Sequence, residues 1–158
     1  YFGMLRAEFD SNTGEVKGEY IEKPSYYALQ NLCSVFDELV NPVYIPNIFN
    51  PKPSTRIDGF DCPAKDVVCG GLEKKNGAKA FVYWNSTDMV TIKEYEGTAS
   101  FEVSGVAGDI HLIDPMDGTI YDIPDTVIKK KSNSVYYFEN FPIKDYPMIL
   151  TFGEFNKQ

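Results

Sequence analysis

Apolar and polar residues alternate along most of this chain, but in one stretch the apolar positions recur at threes and fours. Between residues 23 and 40, KPSYYALQNLCSVFDELV places Leu29, Leu32, Cys33, Phe36, Leu39 and Val40 at helical spacing. Such spacing draws one apolar stripe along a helix. Gln30, Asn31, Ser34, Asp37 and Glu38 fall on the other side. Pro24 suits the first turn, where no N–H is needed, and Asn41-Pro42 closes the run. A lone amphipathic helix must cover its stripe, either with a sheet of the same chain or with a larger body outside it.

The rest of the pattern predicts strands. Residues 1–9 and 16–21 are strand-like, with turn chemistry from Asp10 to Gly14 between them. From 41 to 66 the chain changes character. Pro42, Pro46, Pro51, Pro53 and Pro63 interrupt regular structure, while Tyr44, Ile45, Ile48, Phe49 and Phe60 are too apolar for a free linker. This predicts a packed connector crossing between two modules. From Val67 onward the period is two. A strand at 67–72 leads to Lys75-Asn76-Gly77, a strong hairpin signal, and returns at 79–84. Ala80, Val82 and Trp84 share one face of that return strand, with Phe81 and Tyr83 on the other. Further strands are expected at 89–94, 98–103, 109–113, 119–123, 134–138 and 148–152, each bounded by Gly, Pro, Asp or Asn. The predicted fold is mainly β, an antiparallel β-sandwich with one N-terminal amphipathic helix.

Composition agrees with a packed β-domain. Eleven Tyr, eleven Phe and one Trp in 158 residues favour strands, and the length is enough for a real core. A net charge of −8 argues against a nucleic-acid backbone or an anionic membrane as partner. The one basic run, Lys129-Lys130-Lys131, reads as a solvated turn. No apolar run reaches the roughly 20 residues of a membrane helix. The first residues, YFGMLRAEFD, resemble neither a signal peptide nor a start, so the chain is expected to be a piece of something larger. Cys33, Cys62 and Cys69 are expected as free thiols, Cys33 in the core, which leans towards a reducing, cytoplasmic compartment. A loop-closing Cys62–Cys69 disulfide is the alternative.

Candidate chemistry is sparse. Asp109, Asp114, Asp117, Asp122 and Asp125 cluster around Pro115-Met116-Asp117-Gly118. A calcium loop would use such oxygens, but the spacing lacks an EF-hand's alternation and suits ordinary turns better. His111 lies mid-strand with no nucleophile motif near it and is expected to face the surface. Asn85-Ser86-Thr87 matches a glycosylation acceptor but reads as a turn after Trp84. Tyr26, Tyr27, Tyr83, Trp84, Tyr95, Tyr136 and Tyr137 could form a sugar-binding platform. Core or interdomain packing is the expectation for them, with Trp84 buried in the sandwich. Neither a catalytic, a cofactor-binding nor a metal-binding set of residues is assigned.

Three pieces nevertheless fall in a telling order: the strand YFGMLR, the helix KPSYYALQNLCSVFD, and a β-region holding KKNGAKAFVYWNSTD and later IHLIDPMDGTIYDI. This resembles the C-terminal end of retaining (β/α)8 glycoside hydrolases of the β-xylosidase and α-L-iduronidase type, glycoside hydrolase family 39 and its relatives. In these enzymes the last barrel strand is followed by a helix resembling KPxYYALQNL, then by a sandwich with an NGxxxxxYW hairpin and a DPxxG turn. The resemblance implies that residues 1–40 are the end of the barrel and 41–158 a C-terminal sandwich with a connector at 41–66. It implies a catalytic barrel of about 250 residues as the partner. A retaining enzyme works with two carboxylates about 5 Å apart. In the family they come from the fourth and seventh strands, and no residue of this sequence matches those motifs. The chain by itself is therefore expected to be a non-catalytic accessory domain that braces the barrel, with a sandwich loop reaching the active-site rim or a second copy of the subunit. The alternative is an independent carbohydrate-binding module. The first reading predicts an uncovered apolar patch near the helix or residues 1–9.

Overall fold

A computed structural model describes residues 3–36, 40–50, 53–62, 66–86 and 95–155. In chain order these form β1 (Leu5–Phe9), β2 (Val16–Glu22), α1 (Pro24–Val35), β3 (Asn41–Val43), β4 (Asn47–Phe49), β5 (Ser54–Ile57), β6 (Phe60–Cys62) and β7 (Val67–Glu73). They continue as β8 (Lys79–Asn85), β9 (Tyr95–Ser104), β10 (Ile110–Asp114), β11 (Thr119–Asp122), β12 (Ile128–Ser132), β13 (Val135–Pro142) and β14 (Met148–Phe152). Two antiparallel sheets make the sandwich. One runs β11-β10-β14-β8-β7-β3, the other β12-β13-β9-β5-β6 with β4 also paired to β9. β1 and β2 form a separate two-stranded hairpin.

Alternation on the central strands fixes what lies between the sheets. Phe81 and Tyr83 of β8 face Phe101 and Val103 of β9 and Phe138 of β13, with Leu150 and Phe152 of β14 beside them. All are fully or almost fully buried. Phe101 sits at the centre of an aromatic group, its ring centroid 4.7 Å from Phe49, 5.0 Å from Phe138 and 5.1 Å from Tyr83. Ring pairs at such spacings add to the gain from burying apolar area. One bulge interrupts the pattern. Phe138 pairs with Phe101, yet Phe141, three residues on, pairs with Ala99. The extra residue lets both Phe138 and Phe141 point inward, and Asn140 takes up the turn at φ 48°.

The other face of the first sheet is apolar as well, and α1 covers part of it. Ala80 of β8, Ile113 of β10 and Ile149 of β14 are buried there with Ala78 and Phe155. Leu32, Val35, Phe36 and Val40 pack on them, and the Phe36 and Phe155 rings meet edge to face at 5.9 Å. The helix is thus a third layer on the sandwich.

Several expectations need correction. The helix ends at Val35, and 37–39, including Leu39, lie outside the described residues. Its docked stripe runs through Leu32, Val35 and Phe36, while Leu29 and Cys33 are exposed. Hence Cys33 is no core residue. The region 41–66 is not devoid of regular structure: it holds four short strands, one of them containing Pro42, and these strands join both sheets. Lys129-Lys130-Lys131 is not a turn but the middle of edge strand β12. Its charges sit in water along a sheet edge, where lysines deter pairing with foreign strands. Trp84 lies on the helix-side face and is only partly buried; Phe81 and Tyr83 fill the core instead. The strand expected at 89–94 lies outside the described residues.

Truncation of the central ring tests this core. Phe101→Ala is expected to lower unfolding stability by about 3–5 kcal/mol, measured by urea denaturation, because the surrounding rings cannot close over the void.

Candidate functional site

The hairpin is the part of the molecule whose chemistry is left unbalanced. Its turn is well made. Asp10 Oδ1 accepts the N–H groups of Asn12 (2.8 Å) and Thr13 (3.2 Å), and Gly14 supplies φ 72°. Lys17 Nζ lies 3.0 Å from Asp10 Oδ2. These donors hold the Asp10 carboxyl below its usual value of 3.8, the Asn12 N–H contributing most.

Beyond the turn the two strands are two-sided. Leu5 and Phe9 share a face by alternation, and Val16 stands opposite Phe9. Arg6 and Glu8 point the other way, 3.7 Å apart, with Lys17 opposite Glu8. The apolar side is bare: Leu5 is 44 % exposed and Phe9 60 %. Tyr20 adds to this side, while Met4 and Ile21 are exposed on the side of Arg6. No residue of either strand is buried, and neither strand pairs with the sandwich. A lone hairpin is marginal in water, so an exposed apolar face on one points to a partner.

α1 carries this hairpin on the sandwich. Lys23 N–H donates to Met4 O at 2.9 Å, and Pro24 opens the helix where a missing donor costs nothing. The Tyr27 hydroxyl donates to Glu22, whose charge pushes the phenol pKa up. Further along, Asn31 Nδ2 donates to Pro115 O at 3.1 Å, which seats the helix on the turn after β10. Gly118 there has φ 78°, and a side chain on it would meet Asn31 at 2.9 Å. The C-terminal half of α1 is therefore docked, while Tyr27 and Leu29, on different sides of the helix, remain exposed.

The opposite face of the sandwich is water-facing. On the outer side of the second sheet Lys129 pairs with Glu139 and Lys131 with Glu102, both around the Tyr137 ring. Cross-strand ion pairs of this sort belong at a solvated surface.

The residues singled out from the sequence do not converge. Tyr83, Tyr95 and Tyr136 are buried, and Tyr26 and Tyr27 stand perpendicular at 5.5 Å rather than coplanar. Asn85 ends β8 with 1 % exposure, so it is neither a turn residue nor open to glycosylation. Its Nδ2 donates to Thr55 Oγ1 (3.0 Å) and Tyr95 Oη (2.6 Å). Asp114 is buried, accepting from Met116 N–H at 2.9 Å and the Tyr146 hydroxyl at 2.8 Å. Asp117 accepts from Thr119 N–H, as turn aspartates do. His111 Nε2 lies 3.6 Å from Asp122 on the helix side of β10. The described residues contain no group of three or more His, Cys, Asp or Glu that could hold a metal. Cys33, Cys62 and Cys69 are free thiols, so the Cys62–Cys69 disulfide does not form. Burial pushes the Cys69 thiol pKa up.

Depressions among the described residues include two of interest. A notch of about 510 Å³ lies between Glu22, Tyr27, Asn31 and Met116. A larger pocket of about 620 Å³ opens between β10–β11 and β13. Nothing in the sequence reading pointed to the second. The available signal was Phe138 and Phe141 spaced three apart, which breaks strand alternation. No family model, curated protein or solved structure matches the chain.

Acidification should loosen the hairpin turn before the sandwich. A carboxyl with a lowered native pKa stabilises above its unfolded pKa, and this contribution disappears as pH falls through the native value. Amide signals of Asn12 and Thr13 are expected to lose dispersion below the usual carboxylate range, with β8 and β14 signals unchanged over the same NMR titration.

Proposed function

We infer that this chain is a non-catalytic C-terminal sandwich that braces the (β/α)8 barrel of a retaining glycoside hydrolase, with the hairpin and α1 as the joint between them. The observation that carries this reading is the uncovered apolar side of β1–β2, with Tyr27 and Leu29 of α1 exposed as well. These segments hold the YFGMLR and KPSYYALQNL stretches on which the resemblance to glycoside hydrolase family 39 and its relatives rests. The sidedness of the sandwich supports the same reading. Its far face carries lysine–glutamate pairs beside the exposed Ile48, whereas the helix-bearing side offers apolar surface for a large neighbour.

In this role the sandwich supplies rigidity, not chemistry. α1 is held by Leu32, Val35, Phe36 and the Asn31–Pro115 hydrogen bond, so the surface offered to a barrel is fixed relative to the sheets. The catalytic carboxylates belong to the barrel. A platform-type carbohydrate-binding module finds less support, because Tyr26 and Tyr27 are not coplanar and Tyr137 lies beneath two lysines.

The test is to read the coding sequence upstream of Tyr1 and to express the whole reading frame. A (β/α)8 pattern with glutamates at two strand ends is expected. The full protein should hydrolyse an aryl glycoside with retention at the anomeric carbon, and the 158-residue chain should not. A start codon or a polar linker immediately before Tyr1 would sink the reading.

A further inference from the structure

The depression between β10–β11 and β13 has the chemistry of a binding pocket. Leu112, Phe141 and Met148 line its buried floor, and Tyr121, 44 % exposed, stands on its wall. An open volume of about 620 Å³ lies within the range of small-molecule sites. At the rim stand Asn140 and Lys144, and Asp114 lies buried in the wall.

Asn140 is held there by its backbone. It occupies the left-handed region at φ 48° on the bulge of β13, and its N–H donates to Ser100 Oγ of β9 at 2.9 Å. Bulges of this kind re-aim a side chain, and here the residue at the bulge is one that lines the pocket.

The residues also limit what can enter. An apolar floor disfavours a bare ion. A plain hydrocarbon would strip water from Asn140 and Lys144 without replacing their hydrogen bonds. The pocket offers a cation in Lys144 and an amide that both donates and accepts in Asn140, while the buried carboxylate of Asp114 in its wall, bonded to Met116 N–H and the Tyr146 hydroxyl, balances the lysine charge. It therefore selects for neither strongly anionic nor strongly cationic molecules. What matches is a neutral ring with an apolar C–H face and hydroxyls around its edge. We propose that this pocket between β10–β11 and β13 binds a neutral saccharide, one ring lying on the apolar floor and Tyr121, its hydroxyls meeting Asn140 and Lys144.

The pocket is built by the sandwich alone, so binding here stands or falls separately from the bracing role. Amide-shift NMR on the 158-residue chain, titrated with D-glucose, D-xylose and their disaccharides, with sodium benzoate as an anionic control, tests it. At least one neutral sugar should saturate shifts at Tyr121, Asn140 and Lys144. Asn140→Gly removes the amide but suits the left-handed backbone, so the melting temperature should hold. Its sugar affinity should fall about tenfold, the cost of one strong hydrogen bond. Lys144→Gln should weaken binding in the same direction with the fold intact. The proposal is overturned if no neutral sugar shifts these residues, if shifts map instead to Glu22 and Tyr27, if benzoate binds better than every sugar, or if Asn140→Gly binds as tightly as the parent chain.

Discussion

A sheet that is apolar on both faces has to be covered twice. The central strand β8 imposes that requirement here. Phe81 and Tyr83 fill the space between the sheets, while Ala80 and Val82 look outward onto α1. Ala80, without a bulky side chain, lies beneath Leu32 and Phe36, and Phe155 closes the same cluster from the end of the chain. Burial of this second face holds the helix, and the helix in turn holds the hairpin. Without that seat the first 36 residues would have nothing in the sandwich to organise them.

The molecule is consequently asymmetric. One outer surface is a set of cross-strand lysine–glutamate pairs around Tyr137, ended by the lysines of β12. The other is a helix half docked and a hairpin with Leu5, Phe9 and Val16 uncovered. A domain meant to be surrounded by water has no use for the second arrangement, since exposed apolar area of this extent invites association. A domain that closes the end of a larger body does. The pocket between β10–β11 and β13 lies within the sandwich itself, so the proposed bracing and the proposed binding do not compete for the same residues.

Much of the fold was legible because its strands obey period two. The strand Met148–Phe152 matched residue for residue, and the 79–84 pattern gave β8 to within one residue at its end. The Asn76-Gly77 turn followed from local chemistry, with Gly77 at φ 84°. What failed did so for physical reasons. Trp84 shares the face of Ala80 and Val82, and periodicity alone cannot say which of two apolar faces is the interior. The helix stripe was drawn through Leu29, Leu32, Cys33, Phe36, Leu39 and Val40; the sheet takes up Leu32, Phe36 and Val40 together with Val35, and leaves Leu29 and Cys33 exposed. Three consecutive lysines suggested a turn, whereas an edge strand tolerates them because one side of it meets water. Prolines hid β3 to β6 because these strands are only three or four residues long. The pocket was invisible, since a bulge at Asn140 joins residues from two sheets that no spacing rule connects.

The most direct test of the account is amide hydrogen exchange at Leu5–Phe9 and Val16–Glu22, measured in the 158-residue chain and in the protein expressed from its whole reading frame. The account predicts fast exchange across the hairpin in the isolated chain, with β8 and β14 strongly protected, and slowing of the hairpin by orders of magnitude in the whole protein while the sandwich stays unchanged. Equal protection of the hairpin in both, or equally fast exchange in both, would contradict it.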